Sequence, residues 1–428
     1  MHAIRVSSAN RPCLRNLPGV AETTLLVSCA RLEIDQATEE EIRELCADAI
    51  DWTLLLDLGE RHELTGLLYT HLNHVSPQTI PANILKALKV RFVELARRSM
   101  LMAEHLTQLV RVFERRSVAC VPFGTPFVSE RFYDDVVLTP VTALEFFVPE
   151  NTLAKAQAVL AELGYSPLKC NENVRLKQEF LISSTFPRVC DGYIFVKEPE
   201  QIYVKLRWRL VSSGCSRVDR DLVCLGRESW VVSGQRIQSF SSAAMLLLLC
   251  AEASVMAWRK IGWVTSVAEI VNSADLDWDK VYSQAKRLGL ERALLLGLYL
   301  TKRLPATDLP DCLNNKLAPA RHIAQLGDSI IRSYYGLSDE SMDKPFGNIA
   351  YQLALKDTWW ERVALRCAGF IKPSLEDCIR TELPDQLYPV YYLLHPINMA
   401  TDRMILALAR MVTTWKAERD NLSKEAES

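Results

Sequence analysis

The sequence predicts an α+β protein, predominantly helical, with a small mixed sheet set between an N-terminal and a C-terminal helical block. Apolar residues recur at three- and four-residue spacing up to about residue 116 and again from Ser241 onward, where glycine is scarce and leucine-rich runs are long. Period-two alternation is confined to the middle of the chain, which places the strands there. The chain has 428 residues and is 49% hydrophobic. That is enough for a sizeable core and for two or three domains. The expected division is residues 1–116, 117–235 and 236–428.

In the first segment, Glu39, Glu40 and Glu41 suit a helix's first turn. Leu101, Met102, Leu106, Leu109, Val110 and Phe113 give a helical face. In the second, Val118 to Phe123 reads as a short buried strand and Ala143 to Val148 as another. The alternation of the latter sends Leu144, Phe146 and Val148 toward a core, leaving Ala143, Glu145 and Phe147 on the other face. A helix is expected from Asn151 to Leu163, closed by Gly164 in a left-handed C-cap. The run Ile202 to Leu210 alternates most cleanly: Ile202, Val204, Leu206, Trp208 and Leu210 share one face, and Tyr203, Lys205, Arg207 and Arg209 share a cationic one.

The third segment returns to helices, opened by Ser241 and Ser242 as N-caps. Its longest apolar stretch, Ala243 to Trp258, contains Glu252 and is too short to span a bilayer, so it reads as a buried helix. An internal echo joins the two helical blocks. Leu55, Leu56, Gly59, Leu64 and Leu68 after Asp51-Trp52 match Val281, Tyr282, Ala285, Leu290 and Leu294 after Asp277-Trp278. Both copies read as capped packing units.

Fifty basic against fifty-two acidic residues give a net charge of -2. No global field recruits nucleic acid or an anionic membrane. Twelve cysteines without a Cys-x-x-Cys pair indicate neither zinc nor a disulfide framework. The opening residues carry arginines but no continuous apolar core of a signal peptide. A cytoplasmic protein with no membrane span is expected. His71 and His74 lie at i and i+3 but lack a third ligand, so they read as structural. No Walker A loop, kinase motif or Gly-x-Ser-x-Gly elbow occurs.

Several pieces in order resemble the uncharacterised nucleotidyltransferase family of bacteria, a branch of the DNA polymerase β-like superfamily. They are Ile50-Asp51-Trp52, Val121 to Gly124, Phe132-Tyr133, Ala143-Leu144-Glu145, Leu163-Gly164-Tyr165 and Lys205 to Leu210, then Trp258 to Trp263, Leu383-Pro384, Tyr388, Tyr391-Tyr392 and His395-Pro396. The resemblance implies a nucleotidyltransferase-like module in residues 117–235. It also implies an Asp-x-Asp strand, whose two carboxylates would hold divalent ions against a triphosphate. Here Ala143 and Glu145 stand at those places, Lys205 at that of a third acid, Arg207 at that of a histidine, Phe123 at that of a lysine, and Ser266 at that of an aspartate.

Two readings follow. In the leading one, a degenerate nucleotidyltransferase-fold protein binds a partner protein, a peptide or a nucleotide-like or phosphorylated ligand, with no cofactor. Gly124, Thr125, Lys205, Arg207 and Arg209 are its candidate ligand-binding residues, and no metal ligands are expected. In the alternative, an active nucleotidyltransferase moves a nucleoside monophosphate from a Mg²⁺-bound NTP to a small molecule or peptide. Glu145 with Asp134 or Asp135 would then be catalytic. If the two strands are neighbours, Glu145 should lie within salt-bridge reach of Lys205 or Arg207.

Overall fold

The structure, a computed structural model, describes residues 19–75, 77–133, 137–168, 190–210, 226–336, 349–381 and 383–401. It divides into two compact units. One comprises Met1–Leu168 and Gly192–Asp357, the other Lys169–Asp191 and Thr358–Ser428.

Among the described residues, the N-terminal part of the first unit has five helices: α1 (Val20–Ser28), α2 (Gln36–Ala47), α3 (Trp52–Arg61), α4 (Thr65–Val75) and α5 (Ala82–Arg115). Met102, Leu106, Leu109 and Phe113 recur at helical spacing on α5 and are all at most 2% exposed. The Phe113 ring meets Phe146 edge-on at 5.2 Å, so α5 covers one face of the central sheet.

Five strands build that sheet: β1 (Val121–Phe123), β2 (Leu144–Phe147), β3 (Ser166–Pro167), β4 (Gly192–Lys197) and β5 (Ile202–Arg207). Their order is β1-β2-β5-β4-β3, with β2 and β5 parallel and the other pairs antiparallel. Leu144, Phe146, Val148, Ile202, Val204 and Leu206 are all fully buried, as alternation requires of a sheet covered on one face. Helix α6 (Thr125–Phe132) follows β1, and α7 (Leu153–Glu162) follows β2 after a 3₁₀ turn. Gly164 ends α7 at φ +83°, the left-handed closure its sequence position predicts.

A hairpin of β6 (Arg227–Val232) and β7 (Gln235–Phe240) packs beside β1. Its Ser239 hydroxyl donates to the Pro122 carbonyl at 2.6 Å, and Trp230 lies against Phe127 and Phe132 of α6. Helices α8 (Ser242–Val255), α9 (Ile261–Ser273), α10 (Trp278–Leu288), α11 (Glu291–Arg303), α12 (Asp311–Leu317), α13 (Arg321–Tyr334) and α14 (Ile349–Ala354) complete the unit. Ser241 caps α8 by accepting from the Ala244 N–H, and α8 packs on α9 and α11. The echoed helix starts are real local structures. Asp51 and Asp277 cap α3 and α10 at nearly equal backbone angles (φ -75°, ψ 91° and φ -72°, ψ 93°). Leu55, Leu68, Val281, Ala285 and Leu294 behind them are buried.

The second unit contains α15 (Trp359–Ile371), α16 (Leu375–Arg380), a 3₁₀ turn at Asp385–Val390 and helical residues 391–401. Cys378, Tyr388 and Tyr391 form its small core, with Leu383 and Leu394 packed on it. Among the described residues no helix is long and apolar enough to cross a membrane.

One expectation needs correction. The alternating run does not stay in the sheet to Leu210, because β5 ends at Arg207. Arg207 itself causes the break: its Nε and Nη2 donate to the carbonyls of Arg209 and Leu210, which curls the chain back onto the strand end. Arg209 is therefore not on the strand's cationic face. Arg207 is 5% exposed and belongs to the interior.

Candidate functional site

Neighbouring strands force together the side chains at matching register positions, and this brings the charged residues of β2 and β5 into contact. Glu145 stands opposite Lys205 in the parallel pair. Its Oε2 lies 3.7 Å from Lys205 Nζ and accepts a hydrogen bond from Arg207 Nη1 at 3.0 Å. The ion pair expected from the strand order is present, with a fourth member that the strands do not supply. Glu252, on α8, accepts from the same Arg207 Nη1.

Arg207 thus uses its donors inside the protein: two carboxylates share Nη1, while Nε and Nη2 go to backbone carbonyls. The Phe123 ring lies 5.6 Å from its Cζ. Burial alone would disfavour the guanidinium's charge, but Glu252 and Glu145 overcome it and hold the group further into its cationic range. Burial raises the Glu252 carboxyl above the usual carboxylate range, against the opposing pull of Arg207. Lys205 is held less tightly. Its side chain is 36% exposed, and 3.7 Å is longer than a hydrogen bond.

Gly124 connects β1 to α6 at φ +93° and ψ -156°, a backbone region that only glycine enters without strain. A Cβ placed there would sit 3.9 Å from Glu145 Cβ, so the start of α6 lies directly over the carboxylate-bearing strand. The helix end is sparing with donors. Pro126 has no N–H, and that of Phe127 is taken by the Gly124 carbonyl at 3.2 Å. The Thr125 N–H remains.

These groups open on a cavity of about 330 Å³. Its apolar wall includes Met245, Leu248 and Leu249 of α8, and on α9 Trp263 and Ser266 share one face. A second ion pair completes the lining: Lys260 Nζ lies 2.5 Å from Glu63 Oε1 and 5.4 Å from the Trp263 ring centroid. Behind Ser266, Tyr133 is buried with its hydroxyl 3.4 Å from Ser266 Oγ.

Of the residues singled out in the sequence, Gly124, Thr125, Glu145, Lys205 and Arg207 line this one cavity. Arg209 is not among its lining residues. Asp134 and Asp135 lie outside the described residues. His71 is buried, with Nε2 2.7 Å from the Arg31 carbonyl, whereas His74 is exposed. Among the described residues no three His, Cys, Asp or Glu side chains gather as metal ligands.

Sequence reasoning gave no site role to Glu63, Glu252, Lys260 or Trp263. Glu252 had a readable signal, since it is the single charged residue of the apolar helix Ser242–Val255. A charge there must find a partner or a cavity. Glu63 and Lys260 are 197 residues apart, and nothing local announces their pairing.

A family model described as an uncharacterised nucleotidyltransferase matches residues 48–305, more than half of the chain and all of the strands and helices that line the cavity. No curated protein and no solved structure matches the chain.

Proposed function

The chain belongs to the uncharacterised nucleotidyltransferase family, and from that premise we propose that it has kept the fold for metal-free binding of a nucleotide-like or phosphorylated ligand rather than for nucleotidyl transfer. The observation that carries this reading is the clamp of Glu145 and Glu252 on Arg207. Nucleotidyl transfer needs divalent ions to neutralise the charge developing on the phosphates. The described residues do not fit that requirement. Ala143 offers no oxygen ligand, the two carboxylates already hold a guanidinium, and Lys205 beside them repels a divalent cation.

Fixed cations can take over part of an ion's work in holding an anion, because they are positioned before the ligand arrives. Lys205 is the group best suited to do so, being half-buried at the cavity and loosely paired. The start of α6 adds the positive end of a helix dipole above Glu145.

Calorimetry with ribonucleotides, with and without Mg²⁺, tests this reading. Binding that persists in a chelator, is lost in Lys205→Ala and produces no pyrophosphate is the expected result. Binding that requires Mg²⁺ and vanishes in Glu145→Ala would instead establish the enzymatic reading. Family membership favours that second reading.

A further inference from the structure

Resting on the metal-free reading above, we infer that the cavity takes a small ligand made of a planar aromatic ring joined to one phosphate monoester, and that it discriminates against triphosphates. Charge sets the first limit on the ligand. Among the described residues, three acids (Glu63, Glu145, Glu252) and three bases (Lys205, Arg207, Lys260) line the cavity, so as formal charges that lining is neutral. Two of the bases are committed. Arg207 is held by two carboxylates and two carbonyls, and Lys260 is held by Glu63 and lies over the Trp263 ring.

Of these three bases Lys205 alone is loosely paired, with its side chain 36% exposed, and the first turn of α6 adds one N–H, that of Thr125. One ammonium and one backbone donor can satisfy a single anionic group. A triphosphate without a metal would leave most of its charge unpaired in a pocket with apolar walls, which is costly.

The ring requirement comes from Trp263. Trp263 is partly exposed on the cavity side, with Ser266 one turn along the same helix face. Lys260 Nζ sits over the indole on one side, and an indole that lines a cavity favours a flat ring, by stacking. The volume, about 330 Å³, lies at the small end of ligand pockets. Nucleoside monophosphates and simple aryl phosphates both present this chemistry.

Calorimetry on the full chain in a metal chelator, with AMP, UMP, phenyl phosphate, inorganic phosphate and ATP, tests the inference. AMP, UMP or phenyl phosphate should bind more tightly than ATP or inorganic phosphate. Lys205→Met should weaken that binding about tenfold, and Lys205→Arg should largely restore it. Trp263→Leu should weaken the aromatic ligands toward the level of inorganic phosphate, with far-UV circular dichroism confirming that the variant is folded. Metal-free ATP binding tighter than AMP would overturn this inference and leave the binding reading intact. A Mg²⁺ requirement for every ligand would overturn both. No binding by any aromatic monophosphate, or an unchanged affinity in Lys205→Met, would overturn the inference.

Discussion

At the residue scale, the clamp around Arg207 has consequences for stability that do not depend on any ligand. Removing one member of a fully buried ion pair costs about 3–5 kcal/mol; here Arg207 is buried but its carboxylates are 24% and 35% exposed and Glu145 keeps Lys205. Arg207→Met is therefore expected to lower the unfolding free energy by less than that in urea titrations, with Glu252→Gln in the same background recovering part of it. His62 gives a separate pH signature. It is 5% exposed, its Nδ1 accepts from the Ile261 N–H at 3.4 Å, and burial pushes its pKa down to about 4. The unfolded chain takes up this proton near pH 6.5, while the folded one does not until about pH 4. The stability it contributes is thus complete above pH 6.5 and falls as pH drops toward 4, by on the order of 3 kcal/mol. In His62→Asn, the unfolding free energy measured between pH 4 and 7 should lose that slope.

At the scale of elements, close packing of helices on one another fixes where the cavity walls stand. Gly297 of α11 lets that helix approach α8 and the fully buried Trp258. A Cβ there would meet Cys250 Sγ at 2.8 Å and Trp258 Cη2 at 2.9 Å. Neither neighbour has room to retreat, so Gly297→Ala should destabilise by about 1–3 kcal/mol, read as a lower urea midpoint. The paired helix starts make a gentler test. Asp51 accepts from the Thr53 and Leu54 N–H groups, and Asp277 from that of Lys280. Replacing either by Ala should cost about 1 kcal/mol. The two losses should add, since the caps lie on different helices without a shared partner. The echo in the sequence is thus accounted for by helix capping and packing, and neither tryptophan needs a ligand to explain it.

At the scale of the whole molecule, the reading of the cavity predicts how the protein responds to metal. A ligand that binds only the folded state raises the melting temperature by mass action. Because Glu145 and Glu252 already hold Arg207, millimolar Mg²⁺ should leave the melting temperature unchanged. Arg207→Ser, which frees the two carboxylates, should make the melting temperature respond to Mn²⁺. The second unit carries its own acid-sensitive centre. Burial would raise the pKa of Asp377, but donors from Asn398, Ser374 and His395 outweigh it and hold the carboxyl down at about 2. The stability it adds is present above the unfolded value near 3.9 and is lost as pH falls through about 2.

The sequence by itself determined the elements and the strand pair that matters. Alternation put Leu144, Phe146, Val204 and Leu206 inside the sheet. The same alternation set Glu145 and Lys205 on its other face, where they meet at 3.7 Å. Such patterns are local: side-chain direction along a strand repeats every two residues whatever the rest of the chain does. Tertiary structure alone decided that Arg207 is an interior residue and that Glu252 holds it. It also decided that Glu63 and Lys260, 197 residues apart, close the far wall. Those facts depend on which helix packs over which strand end, and no period in the sequence encodes that. The substitution of cations for acids was legible along the chain. The count of cations still open to a ligand was not, because it is set by the partners each one finds on folding.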